Sequence, residues 1–586
     1  MRSTAALACF LGASLGAISP AAGQDKAELA LKARAVFKSY CHRCHNGEGS
    51  EGGNFDVLKD KTLTSAAGDD KPVIVSGKPA ESLLWERAGV KKSMPPKKET
   101  LRPTDADLAV VKQWIEAGAP PYPTEEKTRQ FIPLKVALAA VRDHLRDAEK
   151  EDRPYLRYFT LTHLYNNPRV PDGDLAVYRA ALSKALNSLS WKTRIVLPKA
   201  IDKQQTIFAV DIRDLDWDRD HVWKALSVAY PYGLTYEGSP SPDIQKLDDD
   251  IRLLAGCKIP IMRADWLASV ATRPPLYYAL LKIPADAGDL ERRLKVDVAA
   301  NFRRATLARA AFVKSGVSEQ NRLIERHEAD YGAYWKSYDF KKGSAKATLT
   351  QLPLGPQFDR HPYPDLAFKH DGGEIICNLP NGLQAYMLVN GKDGRIDEGP
   401  IEVVNDALKT SGTNVIVCGL SCMACHKHGT VPPPKDVIRD GSAVFGDARR
   451  LVQRLYPEDK RMAELLKEDE ERFLRAAEKA TGPFLRVGAD KDKAIRDLPE
   501  PVSEVARLYG LQELDLGMAA CELGVEKADE LRGMITGNKR LRELGLAPLL
   551  KDGGVLKRAD WERGANSLMQ RVARELELGS PNREVE

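Results

Sequence analysis

The sequence predicts a mainly α protein: a small N-terminal domain, a large helical region, and a small β-containing domain within the second half. Three observations predict this. Apolar residues recur at helical spacing over much of the chain, as in Pro133 to Arg146 and Asp174 to Leu189. The run Pro120-Pro121-Tyr122-Pro123 reads as an extended linker that closes off the N-terminal part. Beyond Gly343 to Gly355 the pattern turns to alternation, with Leu383, Ala385, Met387 and Val389 on one face of an extended run. The expected divisions are 1–23, 24–124, 125–345, 346–440 and 441–586.

The bulk properties agree with a multidomain globular chain. Its 586 residues exceed a single ordinary core. The formal charge of +5 is small against 88 basic and 83 acidic residues, which gives no case for a nucleic-acid partner. Residues 1–23 read as an export signal: Arg2 is the positive start, Ala5 to Ile18 is apolar, and Ala21-Ala22-Gly23 offers a cleavage site before Gln24. The apolar run is shorter than the ~20 residues a membrane span needs, so no transmembrane anchor is expected after removal. The expected location is periplasmic or secreted.

Going along the chain, Ala27 to Tyr40 is helical in pattern and leads into Cys41-His42-Arg43-Cys44-His45. Asn46 to Gly53 is a glycine-rich loop, and Ser82 to Trp85 a short helix. Ser93-Met94-Pro95-Pro96 is a rigid turn that presents a methionine. Thr104 with Asp107 predicts a capping box, and Leu108, Val111, Trp114 and Ile115 the buried face of the helix that follows. Thr206 to Asp211 reads as a strand and Asn321 to His327 as a helix. Glu374 to Leu379, Leu383 to Val389 and Asn414 to Val417 read as strands, the first two joined at Pro380-Asn381-Gly382. From Ser442 onward the chain is helical and highly charged.

A second motif, Cys422-Met423-Ala424-Cys425-His426, follows the third of those strands. Two cysteines separated by two residues and followed at once by histidine form the attachment signature of a c-type haem. Each thiol can add to a vinyl group, and the adjacent imidazole can reach the iron. With 9 Cys and 10 His among 586 residues, a random order would hold about 0.002 such matches. Paired CxxC knuckles can also bind zinc, but the histidine after each second cysteine favours haem. Two covalently bound haem c groups are therefore expected, with His45 and His426 as proximal ligands. His42, between the attached cysteines, is poorly placed to reach the iron; His428 could support the second site from behind its ligand, although an exposed histidine is the plainer reading.

The order helix, CxxCH, loop, methionine turn, closing helix resembles a class I cytochrome c, especially the module of planctomycete-type secreted proteins. The resemblance covers about residues 30 to 120. It implies a class I cytochrome c domain with His45 and Met94 on the first iron. The thioether favours ferrous iron and raises the potential. Lys91, Lys92, Lys97 and Lys98 surround the methionine turn and would steer an acidic redox partner, unless they are only a solvated rim.

The remainder resembles an uncharacterised group of secreted cytochrome proteins. The matching stretches are Arg263 to Trp266 with Pro274 to Tyr277, Asn321 to His327, Trp335 to Phe340, His370 to Glu374, Leu379 to Met387, and Gly419 to His426. The resemblance implies the architecture and no particular reaction. The chain departs from that group at Cys257, Cys377, Cys418 and Cys521. These paired departures suggest the disulfides Cys377–Cys418 and Cys257–Cys521, against the competing reading of free buried thiols.

The distal side of the second haem decides the chemistry. A strong sixth ligand makes an electron-transfer centre; an open position admits peroxide or another small molecule. The candidates are His327, His361, His370 and Met387, with Met518 weaker. Arg326 beside His327 would suit peroxide cleavage, although a structural ion pair is the plainer reading. The expected function is electron transfer through two haems with an unidentified redox protein. The alternatives are a peroxidase-like dihaem oxidoreductase and a haem-based sensor or interaction protein.

Overall fold

The computed structural model describes residues 20–42, 44–45, 55–65, 71–96, 102–122, 129–313, 321–340, 347–401, 404–406, 409–431, 433, 435–511 and 513–584. Most of the expected export signal, the loop at 46–53, and Lys97 and Lys98 lie outside them. The chain is mainly α and forms two compact units, residues 1–125 and 126–586.

In the first unit, α1 (Pro20–Tyr40) packs on α2 (Asp105–Glu116). Phe37 meets Trp114 edge to face at 5.5 Å. The buried face of α2 is Leu108, Val111, Trp114 and Ile115, as the helical spacing requires. Its start is a capping box: the Asp107 N–H donates to Thr104 Oγ1 (3.2 Å), and the Thr104 N–H donates to the Asp107 carboxylate (2.9 Å). Tyr122 anchors the segment after α2 by donating to the Val57 carbonyl at 2.8 Å.

The second unit is built around α3 (Asp172–Ser188), which is buried along most of its length. A four-stranded sheet, in the order 199–200, 207–211, 156–160, 261–263, belongs to the same unit. The larger sheet is an antiparallel meander of six strands: β1 (Ala308–Val313), β2 (Asn321–Ala329), β3 (Gly332–Asp339), β4 (Gly372–Asn378), β5 (Gln384–Asn390) and β6 (Arg395–Ile396). It is followed by the short helix α4 (Leu420–Cys425), the long α5 (Asp459–Leu485) and α6 (Pro501–Leu511). Both long helices pack on α3, where Ser183 donates to the Ala480 carbonyl (2.6 Å) and Lys184 pairs with Glu500 (2.7 Å). A buried ionic cluster joins distant parts of the chain: Glu522 accepts from Arg263 (2.8 Å), Arg558 (2.5 Å) and the Trp561 indole (2.8 Å).

The structure corrects three expectations. Asn321–His327 is a strand, and the sheet has three strands on each side of residue 345, so the strand-rich part begins near residue 308. Its sequence looks helical because both faces of β2 carry charge, and each charged group finds a partner. Arg322 donates to Asp339 (2.5 Å), Glu325 accepts from Arg309 (2.6 Å), and Arg326 donates to Asp469 (2.8 Å). Residues 414–417 form no strand; Val417 makes one isolated bridge with Glu398. Cys257, Cys377, Cys418 and Cys521 are free thiols, so neither disulfide is present. Cys377 lies opposite Ala385 and Tyr334 within the sheet, whereas the Cys418 thiol turns to the Tyr386 carbonyl.

Candidate haem sites

The first site starts where α1 ends. Cys41 and His42 donate their N–H groups to the Phe37 carbonyl, and the His45 N–H reaches back to Cys41 (3.0 Å). The His45 carbonyl accepts from Val57, and its ring stacks on Phe55 with centroids 4.9 Å apart. His42 is turned away toward Asp56, at 3.6 Å. Both cysteines are unbonded, and burial pushes the Cys41 thiol up to about 12. The donor set therefore fits haem attachment: two reduced thiols one helical turn apart, and an imidazole at the next position.

The methionine turn is pinned by one guanidinium. Arg102 donates to the carbonyls of Pro95 (2.6 Å), Pro96 (3.0 Å) and Lys92 (2.7 Å). The Met94 N–H donates to Arg87 (3.2 Å). Replacing Arg102 with alanine leaves three carbonyls to water and is expected to destabilise this unit by roughly 1–3 kcal/mol. Thermal unfolding of the variant measures it, and an unchanged midpoint would refute the bracing role. Lys91 is paired with Glu86 (2.6 Å) and Lys92 with Asp105 (2.9 Å), so both charges have local counterions.

The second site sits on α4, beneath one face of the six-stranded sheet. Gly419, at φ 79°, lets the chain turn into α4; a Cβ there would meet the Thr272 carbonyl at 2.5 Å. Ser421 fixes the first turn by donating to Asp406 (2.8 Å) and accepting the Val417 N–H (3.0 Å). Cys422 and Cys425 are i, i+3 neighbours and share a helix face. His426 Nδ1 donates to the Gly429 carbonyl at 3.0 Å, which sets the tautomer and leaves Nε2 as the metal-binding nitrogen. The Tyr386 ring lies 6.0 Å from that of His426, inclined by 28°. The thiols and this imidazole suit haem attachment as at the first site.

Glu374 occupies the Nε2 side. Its carboxylate is 3.4 Å from His426 Nε2. Burial opposes its ionisation, but His426, the Cys422 thiol and Arg322 outweigh that and hold the carboxyl at about 2. The β4 strand is pressed hard against β3 here. The Glu374 N–H donates to Ser337 Oγ (2.8 Å), and a Cβ on Gly373 would lie 2.0 Å from the Ser337 carbonyl. The Cys418 thiol, burial and Glu374 raise the Cys422 thiol well above its ordinary value, and burial raises Cys425 to about 12.

The residues expected on the distal side are elsewhere. Arg326 and His327 are adjacent on a strand, so they point to opposite faces of the sheet. His327 contacts Glu325 (2.7 Å) and Asn301 (3.0 Å), while Arg326 grips Asp469; they form no joint site. His370 lies 3.5 Å from Asp393, with its ring edge-on to Tyr338 on the face opposite Glu374. Both ring nitrogens of His361 are engaged, by the Leu354 carbonyl and the Tyr363 N–H. Met387 is fully buried in β5, Met518 is buried in its own helix, and His428 bonds to the Arg496 carbonyl. The polar and ring contacts of His426 are Gly429, Glu374 and Tyr386, and none of these was among the expected distal residues. The available signal was positional: Glu374 shares a strand face with Ile376, whose partner in β5 is Tyr386.

Residues 41–98 match the family model described as Planctomycete cytochrome C. No curated protein and no solved structure matches the chain. The matched module is cytochrome c-like, which brings with it covalently bound haem c and a haem-based role in electron transfer. Among the described residues, no helix is long and apolar enough to cross a membrane.

Proposed function

We propose, from the cytochrome c-like module at 41–98, that the chain is an exported dihaem c-type cytochrome that passes electrons between an external redox protein and a second internal haem. The observation that carries the second haem is the His426 tautomer, set by Gly429, beside two reduced thiols on one helix face. His45 and Met94 would hold the first iron, and His426 the second, with Cys41, Cys44, Cys422 and Cys425 as attachment points. The haem supplies one-electron redox chemistry. The chain supplies attachment, orientation and a low-dielectric surround. Arg102 keeps the methionine turn in shape, and Gly429 keeps the His426 ring oriented.

Intact mass and the haem-to-protein ratio test this reading. Two haems per chain are expected, with residues 1–23 removed. The Cys422→Ala/Cys425→Ala variant should keep one haem, and Cys41→Ala/Cys44→Ala should lose the other. A wild-type chain with a single haem overturns the dihaem assignment.

A further inference from the structure

The sheet offers His426 a rigidly mounted carboxylate on the very nitrogen that an iron would take. Glu374 Oε2 stands 3.4 Å from Nε2, and the side chain is 18% exposed. A strand is a stiff mount, and here it is stiffer than usual. Gly373 lets β4 lie against β3, Gly372 lets it lie against β5, and Ser337 holds the Glu374 amide. The ion-pair partner of the carboxylate is His426 itself, and no Arg or Lys is paired with it among the described residues. Arg322 is the nearest guanidinium by charge effect, but its Nε is already engaged by Asp339 at 2.5 Å. A buried carboxylate that shares its positive partner is costly unless another charge arrives. A ferric haem brings one: the porphyrin cancels two of the three charges on the iron, leaving a single positive charge at the centre.

We infer that Glu374 is the second side chain, with His426, that would ligate the iron of the second haem. This rests on the dihaem reading above. A carboxylate is a hard anionic donor, so it stabilises the ferric state and binds ferrous iron weakly. The two haems of the chain would then be unlike: one with a soft thioether and a raised potential, the other with a carboxylate and a lowered one. Because a carboxylate binds ferrous iron weakly, the reduced second haem would be the one open to a small neutral ligand.

The test uses the full-length mature protein. Electron paramagnetic resonance and near-infrared magnetic circular dichroism of the ferric wild type should show one haem with an oxygen ligand as well as histidine. After reduction, carbon monoxide should bind one of the two haems. Glu374→Ala should abolish the oxygen-ligand signature and raise the midpoint potential of that haem alone. Glu374→His should convert it to a low-spin pair of imidazoles. Two haems per chain with a ferric wild-type spectrum of nitrogen or sulfur ligands only would overturn the ligand assignment and leave the dihaem reading standing, even if neither variant folds. A spectrum unchanged in Glu374→Ala would do the same. One haem per chain would overturn both.

Discussion

Replacing Glu522 with alanine is expected to destabilise the second unit by roughly 3–5 kcal/mol. The side chain is almost fully buried and joins Arg263 in the middle of the chain to Arg558 and Trp561, neighbours on one helix near its end. Arg263 donates to it at 2.8 Å and also donates to its backbone carbonyl; Arg558 donates at 2.5 Å; the Trp561 indole donates at 2.8 Å. Removing the carboxylate leaves two guanidiniums in a site with little water. Arg263 retains the Tyr232 ring, 3.8 Å from its centre, and Arg558 retains the Tyr232 hydroxyl at 2.9 Å, but the carboxylates left near them, Asp265 and Glu562, act through space and form no ion pair with either. Glu522→Gln keeps the shape and an acceptor for Trp561, so it should cost less than alanine. Urea unfolding of the three proteins measures this. A variant within about 0.5 kcal/mol of the parent, the usual range for surface changes, would show that the cluster does not tie the C-terminal helices to the middle of the chain.

The same cluster sets a direction for pH. Burial opposes ionisation of Glu522, but Arg558 and Arg263 outweigh it and hold the carboxyl down from 4.5 to about 2. Glu325 is likewise held well below the ordinary range, with burial opposed by Arg309 and His327. Both folded-state values lie below the unfolded ones. Their stabilisation is therefore present above the unfolded value and is lost as pH falls from about 4.3 toward 2. For Glu522 the difference corresponds to about 3 kcal/mol. Unfolding free energy should be level from pH 7 to 5 and fall steeply between 4 and 3. Glu522→Gln should flatten part of that fall. A parent protein as stable at pH 3 as at pH 6 would contradict the argument.

What could be read from the sequence was local. Thr104 and Asp107 announced their capping box, and the apolar face of the following helix is the buried one. The hairpin joining Glu374–Leu379 to Leu383–Val389 came from alternation and an Asn-Gly turn. Both CxxCH motifs were legible because the pattern is contained in five consecutive residues. The strand at Asn321–Ala329 was not legible. Alternation is visible when one face of a strand is apolar, and here Arg322 and Arg326 point one way while Glu325 and His327 point the other. The distal candidates make their contacts away from His426 for a related reason. Histidine and methionine are common ligands, so residue type nominated them. Proximity to His426 comes instead from the β4–β5 register, which brings Glu374 and Tyr386 over α4 from sequence positions about 40–50 residues away, a pairing that local pattern does not encode.

The burial of Cys422 has a consequence for how the protein is made. The thiol is 2% exposed and wedged between Cys418 and Glu374, under a sheet whose strands are held by close backbone contact. A porphyrin edge has no path to that sulfur once the sheet has closed over α4, and a thiol held protonated is slow to react. On the dihaem reading, the bond to Cys422 must form while the chain is still open. Maturation and folding are then one ordered process, with the cofactor as the template on which β4 and β5 settle. A chain that folds before it is loaded would be sealed against its own second haem.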